Sequence, residues 1–203
     1  MGESVLELLS ARQGHFLLES GHHGELWLDL ESLCLRPRRV QRLAAELASS
    51  LSELRLDAVC GPLVEGSFVA LLVAMQMNVQ FTYAERYSRA TSDSLYPMGY
   101  RIPASLRSGL EGKRVAIVND VINAGSAIRG TFADLEECGA VVTAIATLLT
   151  LGTAAAAFAA GKGVPLISLG TMPNRLWAAP ECPLCSTGIA LEDVASFSAQ
   201  RSI

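Results

Sequence analysis

The sequence has few aromatic residues and no long hydrophobic run. Phe, Trp and Tyr make up 6% of the 203 residues, although half of all residues are hydrophobic. Such an aliphatic composition is typical of an α/β core. The nearest approach to a long apolar run, residues 140–151, contains threonines and is shorter than the roughly 18 residues that span a bilayer. The sequence therefore predicts a globular protein without a membrane partner.

The chain also lacks a surplus of positive charge. Its formal net charge is -4, and its one dense basic run, Arg36, Arg38 and Arg39, is expected on the solvated face of a helix. These features argue against nucleic acid as the main partner. Residues 1–12 are too acidic and too interrupted for a signal peptide, so we expect a cytoplasmic protein. Its five cysteines are then expected to be mostly reduced thiols.

Two common nucleotide-binding motifs are absent. The chain contains neither G-x-G-x-x-G nor G-x-x-x-x-G-K-[ST], which argues against a dinucleotide-dependent or P-loop enzyme. A mass of 21.5 kDa is enough for one domain with a full core and too small for two comfortable ones. We therefore expect a single domain over residues 1–203.

The most informative stretch runs from Arg114 to Gly130. A β-branched apolar run at 115–118 predicts a strand, and a helical pattern begins at Ser126. Two polar residues, Asn119 and Asp120, follow the predicted strand. The stretch therefore predicts a strand, a loop and a helix in succession.

This loop has the chemistry of a phosphate site. Loop N–H groups and the positive end of a helix converge where a buried strand feeds a helix, and Ala124 and Gly125 permit close approach. Ser126 can cap the helix or donate its hydroxyl to the anion. Asn119 and Asp120 can accept hydrogen bonds from a diol, so together the residues describe a ribose 5-phosphate site. An ordinary strand end and loop have similar compositions, and the residues alone leave both interpretations open.

The stretch resembles the signature of the type I phosphoribosyltransferases, and more closely the orotate phosphoribosyltransferase form. In that family, a hydrophobic strand, two acidic residues and a Thr-x-Gly-(Thr/Ser) loop bind phosphoribosyl pyrophosphate. The resemblance implies that Asp120 and Asn119 act on the ribose. It also implies that the 5-phosphate is held by Asn123, Ala124, Gly125, Ser126 and Ala127.

Other segments extend the resemblance. Gly14-x-Phe16-x-Leu18-x-Ser20-Gly21 is similar to the family's opening hairpin, which covers the active site. A Gly-Pro-x-x-x-Gly loop that holds pyrophosphate in the family corresponds here to Leu63, Val64, Glu65 and Gly66. The irregular segment 85–112 matches a mobile lid, from which Arg86 and Arg89 are predicted to face the pyrophosphate as catalytic residues. Alternatively, Tyr96 and Tyr100 mark a short hairpin.

The resemblance implies a complete architecture. The predicted fold class is α/β, a Rossmann-like type I phosphoribosyltransferase fold with a parallel sheet and helices on both faces. The core spans residues 37–171, and a small hood is formed by residues 1–36 and about 172–203. Mg²⁺ is expected with phosphoribosyl pyrophosphate, a nucleobase is the expected second substrate, and a homodimer is the expected assembly.

Several positions depart from the family pattern. Asn119 replaces the first acidic residue, Glu19 and Glu65 stand where lysines are usual, and Gly152-Thr153 replaces the site of an arginine that meets the orotate carboxylate. The lid also lacks the usual Lys-x-His-Gly-Glu-Gly run. We still favour a working phosphoribosyltransferase, for orotate or for a base without its carboxylate, because the chain keeps Asp120 and two arginines in the lid. A non-catalytic binder of phosphoribosyl pyrophosphate and a different nucleotide-dependent enzyme are the alternatives.

A pair of cysteines near the C-terminus has the C-x-x-C spacing. Cys182 and Cys185 could form half of a metal site, but a lone pair is a weak zinc signal, and His15, His22 and His23 are far away in sequence. The segment resembles the C-terminal segment of some orotate phosphoribosyltransferases, where it is structural. We therefore predict no metal site.

Overall fold

The computed structural model describes residues 5–7, 9–88 and 95–193. The strands are β1 (Ser10–Leu17), β2 (His23–Asp29), β3 (Ala58–Pro62), β4 (Gln80–Ser88), β5 (Met98–Arg101), β6 (Arg114–Ile122), β7 (Val141–Leu151), β8 (Leu166–Met172), β9 (Leu176–Trp177) and β10 (Glu192–Asp193). The helices are α1 (Pro37–Ser50), α2 (Glu65–Met77), α3 (Ala104–Arg107), α4 (Ser126–Glu137), α5 (Ala154–Lys162) and α6 (Pro183–Ser186). None of the described helices is long and apolar enough to cross a membrane.

The larger sheet has six strands in the order β5-β4-β3-β6-β7-β8. All neighbouring strands are parallel except β5, which is antiparallel to β4. One hydrophobic cluster packs against α1 and α2, and a second packs against α4 and α5. The predicted α/β class, with helices on both faces of a largely parallel sheet, is confirmed.

The central strands are buried on both faces, as parallel strands between two helical layers must be. β6 is buried from Val115 to Ile122, so it does not end at Val118 as predicted. Pairing with β7 continues to Ile122, which lies opposite Thr150. This continued pairing holds Asn119 and Asp120 inside the strand, although their polarity indicates a strand end.

The segment predicted as an irregular lid contains regular structure. β4 extends to Ser88 and pairs with β5, placing Arg86 opposite Tyr100. The hairpin alternative therefore describes the two flanks of this segment. The predicted catalytic residue Arg89 lies outside the described residues, together with the rest of 89–94.

The smaller sheet has the order β10-β1-β2-β9, and we call it the hood sheet. β1 and β2 are the predicted hairpin. β10 is parallel to β1, with Phe16 opposite Glu192, and β9 is antiparallel to β2, with His23 opposite Trp177. The hood sheet thus joins two segments of the chain that are more than a hundred residues apart.

Candidate active site

The order in which the chain adds strands to the larger sheet reverses between the neighbouring strands β3 and β6. From β3 it moves outward to β4, whereas from β6 it moves the other way, to β7 and β8. In open α/β sheets, ligands bind beyond the carboxyl ends of the strands at such a switch point. The β3–α2 and β6–α4 loops leave the sheet at this point. Together with the first two residues of the helices that follow them, they contain nine of the thirteen predicted site residues.

Asp120 lies in β6 at the centre of this site and is only 4% exposed. Its Oδ2 atom has no hydrogen-bond partner among the described residues. Burial raises the pKa of Asp120 to about 7, the nearby Glu65 carboxylate adds to the rise, and a hydrogen bond from the Val121 backbone opposes it. A buried oxygen without a partner is unfavourable unless a ligand supplies a donor, and a ribose hydroxyl is such a donor.

Asn119 lies in β6, close to the first turn of α2. Its Nδ2 donates a 2.9 Å hydrogen bond to the Val121 carbonyl, and a Cβ atom added at Gly66 would collide with its Oδ1. Gly66 must therefore be glycine for α2 to approach β6 this closely. In this arrangement the Asn119 amide packs against the first turn of α2, and its predicted contact with a ribose hydroxyl stays a prediction.

The β3–α2 loop and the start of α2 differ in whether their backbone N–H groups are already hydrogen-bonded. The Leu63 N–H donates to the Ala84 carbonyl at 2.9 Å, so it is not available to an anion in this arrangement. Glu65 and Gly66 begin α2, and the first N–H groups of a helix have no intrahelical acceptor. Val64 is 54% exposed. The start of α2 therefore has the backbone donors that a pyrophosphate requires.

The β6–α4 loop forms the second set of donors. Gly125, not Ser126, is the N-cap of α4, with φ of 81°, a left-handed conformation that favours glycine. The predicted capping by Ser126 is therefore wrong, which leaves its hydroxyl for the other predicted role, an anion contact. Asn123 Oδ1 accepts a 2.9 Å hydrogen bond from Asn174 Nδ2, which links the loop to the segment between β8 and β9.

Arg86 is paired rather than free. Its guanidinium donates to Glu19 at 2.6 Å, and the Tyr100 hydroxyl donates to the other oxygen of the same carboxylate at 2.8 Å. Burial, followed by the Glu19 charge, raises the pKa of Tyr100. Glu19, which stands where the family has lysine, thus neutralises the lid arginine in this arrangement.

A cleft of about 430 Å³ lies between the β6–α4 loop and the hood. Tyr96 crosses it: its backbone N–H donates to Ser20 at 2.9 Å, and its hydroxyl donates to the Ala124 carbonyl at 3.4 Å. The cleft is lined by residues of the hood, the predicted lid, the β6–α4 loop and the end of β7, among them His22, Tyr96, Ala124, Thr153, Asn174 and Leu176. Its position beside the β6–α4 loop suits a planar base.

Arg129 is a cation near the cleft that the sequence reasoning missed. It lies one turn into α4, with its guanidinium 5.2 Å from the Tyr96 ring centre and 4.5 Å from that of Phe158. Its Nε atom is buried and has no hydrogen-bond partner among the described residues. Burial lowers the pKa of His22, and the Arg129 charge lowers it further. Its place three residues after Ser126, on the same helix face, was the available signal.

The carboxylates of the site fit a magnesium ion. Asp120 and Glu65 are close enough for the charge of one to raise the pKa of the other. Carboxylate oxygens are hard ligands of the kind Mg²⁺ takes together with substrate phosphates. A divalent cation near this pair would also relieve their repulsion.

Comparisons with known proteins agree with this geometry. The sequence model of one protein family, the phosphoribosyl transferase domain, matches residues 29–157 of this chain. An orotate phosphoribosyltransferase of Caldanaerobacter subterraneus is 30% identical over 196 residues, which cover 93% of this chain and 94% of the relative. The chain belongs to the type I phosphoribosyltransferase family, and it is a transferase of the orotate phosphoribosyltransferase-like kind.

Solved structures show the same fold. Orotate phosphoribosyltransferase from Aeropyrum pernix superposes with a TM-score of 0.60 at 24% identity, covering 80% of this chain and 88% of that one. Adenine phosphoribosyltransferase from Thermoanaerobacter pseudethanolicus gives a TM-score of 0.61 at 18% identity, covering 83% and 98%. The fold is thus similar to that of enzymes named for different bases, and it does not identify the base.

Proposed function

We propose that the protein transfers ribose 5-phosphate from phosphoribosyl pyrophosphate to a pyrimidine-type base, with orotate as the first candidate. The observation that carries the proposal is the buried Asp120 carboxylate between two loops of backbone donors, with an Oδ2 atom that has no hydrogen-bond partner among the described residues. Such a reaction belongs to nucleotide synthesis in the cytoplasm. A non-catalytic binder of the same ligand is the alternative.

The proposed roles follow the geometry of the two loops. The β6–α4 loop would hold the 5-phosphate, and the start of α2 would hold the pyrophosphate. A base nitrogen forms a bond to C1 of the ribose while the bond from C1 to the pyrophosphate oxygen breaks. The Asp120 carboxylate would bind a ribose hydroxyl and favour the positive charge that develops on the ring. The hood and lid would exclude water from this centre.

Magnesium would enter with the substrate. We expect it to be held by pyrophosphate oxygens, with Glu65 as the adjacent protein carboxylate. The ion would supply charge neutralisation for the departing pyrophosphate. This arrangement gives Glu65 a function at a position where a carboxylate would otherwise repel the ligand.

Arg129 is our candidate for recognition of the base. The arginine expected after β7 is replaced by Gly152-Thr153, and Arg129 places a cation from α4 against Tyr96, a residue that lines the cleft. Its buried Nε lacks an acceptor among the described residues, and Tyr96 and Phe158 hold the guanidinium in place. A carboxylate on the base would satisfy this donor with a charge-assisted hydrogen bond. We therefore prefer orotate over an uncharged base.

A homodimer is supported by one surface of α2. Four exposed apolar side chains, spaced for a single helix face, begin beside the pyrophosphate loop: Val64, Phe68, Leu71 and Met75. Exposed stripes of this kind mark association surfaces. Sedimentation should give a dimer for the wild type and a monomer for Phe68→Glu. A wild-type monomer at micromolar concentration would contradict the assembly.

The direct test is calorimetric titration with phosphoribosyl pyrophosphate and Mg²⁺, followed by assay with orotate and with uracil. We expect saturable binding that Asp120→Ala abolishes, and formation of nucleotide and pyrophosphate in equal amounts. Binding without turnover over a panel of bases would favour the non-catalytic alternative. Absence of binding by folded wild-type protein would reject both.

A further inference from the structure

Four side chains with metal-binding atoms meet in the hood, where the sequence predicts no metal. They are His15, His23, Cys182 and Cys185, and their ligand atoms all lie within 4.8 Å of one another. His15 Nε2 is 3.0 Å from His23 Nδ1 and 3.4 Å from Cys182 Sγ. Cys185 Sγ is 3.7 Å from His15 Nε2 and 3.3 Å from His23 Nδ1. The histidines that are distant in sequence are therefore neighbours of the C-x-x-C pair in space.

These distances are close to the edges of a zinc coordination tetrahedron. Zn–N bonds of about 2.0 to 2.1 Å and Zn–S bonds of about 2.3 Å require edges of about 3.3 Å between nitrogens and about 3.6 Å between nitrogen and sulfur. The observed nitrogen separation is 3.0 Å, and three of the four nitrogen-to-sulfur separations are 3.3, 3.4 and 3.7 Å. A small adjustment of the side chains would place one ion at equal reach of all four atoms.

Hydrogen bonds alone do not satisfy this cluster. His15 Nδ1 lies 2.8 Å from the Ile189 carbonyl, which can only accept, so Nδ1 carries the proton and Nε2 has a lone pair. Three groups converge on that one lone pair: His23 Nδ1, Cys182 Sγ and Cys185 Sγ. A single lone pair cannot serve three donors well, whereas a cation at the centre would use a lone pair from every member.

The contact with Ile189 also has the form of an outer-shell interaction. Histidine ligands commonly donate their second ring N–H to a carbonyl, which fixes the tautomer and the orientation of the ring. The Ile189 carbonyl is positioned by the end of α6. There Gly188, with φ of 74°, donates to Cys185, and Ile189 donates to Leu184, the two hydrogen bonds of a Schellman motif.

The donor set identifies the metal. Two thiolates and two imidazoles in a tetrahedral arrangement are typical of structural zinc sites. His15, His23 and Cys182 are buried, while Cys185 is exposed and gives an entry path. We propose that His15, His23, Cys182 and Cys185 bind one Zn²⁺ ion that fastens the hairpin of the hood to the C-terminal segment. Binding releases the two thiol protons, so the occupied site is neutral.

The position of the proposed zinc site in the hood indicates what the ion would stabilise. The hood sheet is held at its edges by β9 and β10, each of only two residues. Such short pairings give little stability on their own, and small units commonly gain it from a metal. His22 and Glu181, which line the cleft, are adjacent in sequence to His23 and Cys182. The ion would therefore fix one wall of the cleft without touching the substrate.

The first experiment measures metal in the purified full-length protein by elemental analysis. We expect about one zinc per chain in the wild type and almost none in Cys185→Ser, the variant at the exposed ligand. Cys138→Ser is the matched control, because Cys138 is a partly buried thiol outside the cluster, and it should keep its zinc. Cobalt added to metal-free protein should give the visible absorption of a tetrahedral thiolate complex.

A second variant tests the geometry without removing a ligand. Gly188→Ala strains the left-handed end of α6, where no neighbouring atom would obstruct a Cβ, and so shifts the backbone that positions the Ile189 carbonyl while all four ligand side chains are kept. Loss of this outer-shell contact should weaken zinc affinity about 10- to 100-fold while the stoichiometry at saturation is kept. Unchanged affinity in this variant would overturn the proposed role of Ile189.

The zinc site is overturned if folded wild-type protein, shown by circular dichroism, neither contains zinc nor takes up zinc or cobalt on titration. A Cys182–Cys185 disulfide in protein purified under reducing conditions would overturn it as well, as would iron in place of zinc in the purified protein. These readouts do not depend on transferase activity, so failure of the proposed reaction would leave the zinc result intact.

Discussion

The two halves of the site differ in how closely they follow the family pattern. The sugar-phosphate half, formed by the β3–α2 and β6–α4 loops, keeps a buried carboxylate, two helix N-termini and the glycines that allow close packing. The half formed by the hood and lid has Glu19 paired with Arg86 and a cleft whose nearby cation comes from α4. In the proposed reaction, the first half would determine which group is transferred, and the second would determine which base receives it.

This difference has a physical cause. A phosphate is recognised mainly by backbone N–H groups, which tolerate changes of side chain as long as the loop keeps its shape. A base is recognised by side chains of specific charge, so reversing one charge changes the preferred ligand. The departures in this chain are therefore expected to alter base selection more than sugar-phosphate binding.

The largest expected effect comes from Asp120→Asn in the sugar-phosphate half. We expect kcat/KM to fall about 100-fold or more, because the ring charge loses its nearest carboxylate. Asp57→Asn is the control and should stay close to wild type, because Asp57 directly precedes β3, at the edge of the sheet opposite the site. Wild-type kcat/KM should rise with pH through about 7, since only ionised Asp120 is active. A flat profile over this range would contradict the role of the carboxylate.

Asp120→Asn should be more stable than the wild type at high pH. The pKa of Asp120 in the folded state, about 7, is above its ordinary value of 3.8, so the folded state holds this proton more tightly. The contribution of the Asp120 carboxyl to the free energy of unfolding of the wild type therefore decreases as pH rises from about 4 to about 7 and then stays constant. Above pH 7, Asp120→Asn should be stabilised by up to about 4 kcal/mol, measured by urea unfolding.

A smaller effect is expected from Arg129→Met in the base half. KM for orotate should rise about 10-fold or more through loss of one charge-assisted hydrogen bond, while affinity for phosphoribosyl pyrophosphate is kept. Arg175→Met is the control, because Arg175 pairs with Glu25 on the hood surface. Equal losses for orotate and uracil would show that Arg129 does not read the carboxylate.

The smallest effect is expected from Glu19→Gln. Exposed ion pairs contribute at most about 1 kcal/mol, so releasing Arg86 should tighten pyrophosphate binding only about two- to five-fold. Glu25→Gln, which breaks another ion pair of the hood, should leave that affinity unchanged. Weaker pyrophosphate binding in Glu19→Gln would instead mean that Glu19 positions Arg86 for the ligand.

The sequence predictions that agree with the structure rest on patterns within short stretches of the chain. The strand–loop–helix around Asp120 is encoded within seventeen consecutive residues, 114–130, and α4 does begin at Ser126. β6 continues through Asn119 because of pairing with β7, which composition does not reveal. The aromatic neighbours of Arg129 come from residues 96 and 158, and the thiol–imidazole cluster joins residues 15 and 185. Only the folded chain brings such groups together.

The order of strands in the hood sheet also bears on how the protein is made. A ribosome releases β1 and β2 first, yet the strands that flank them, β9 and β10, are about 150 or more residues later in the chain. The hairpin must therefore wait, with both edges open, until the larger sheet has been synthesised. A nascent chain would complete its sugar-phosphate loops before its hood. Substrate already bound at those loops would then be enclosed only when the last described segment pairs.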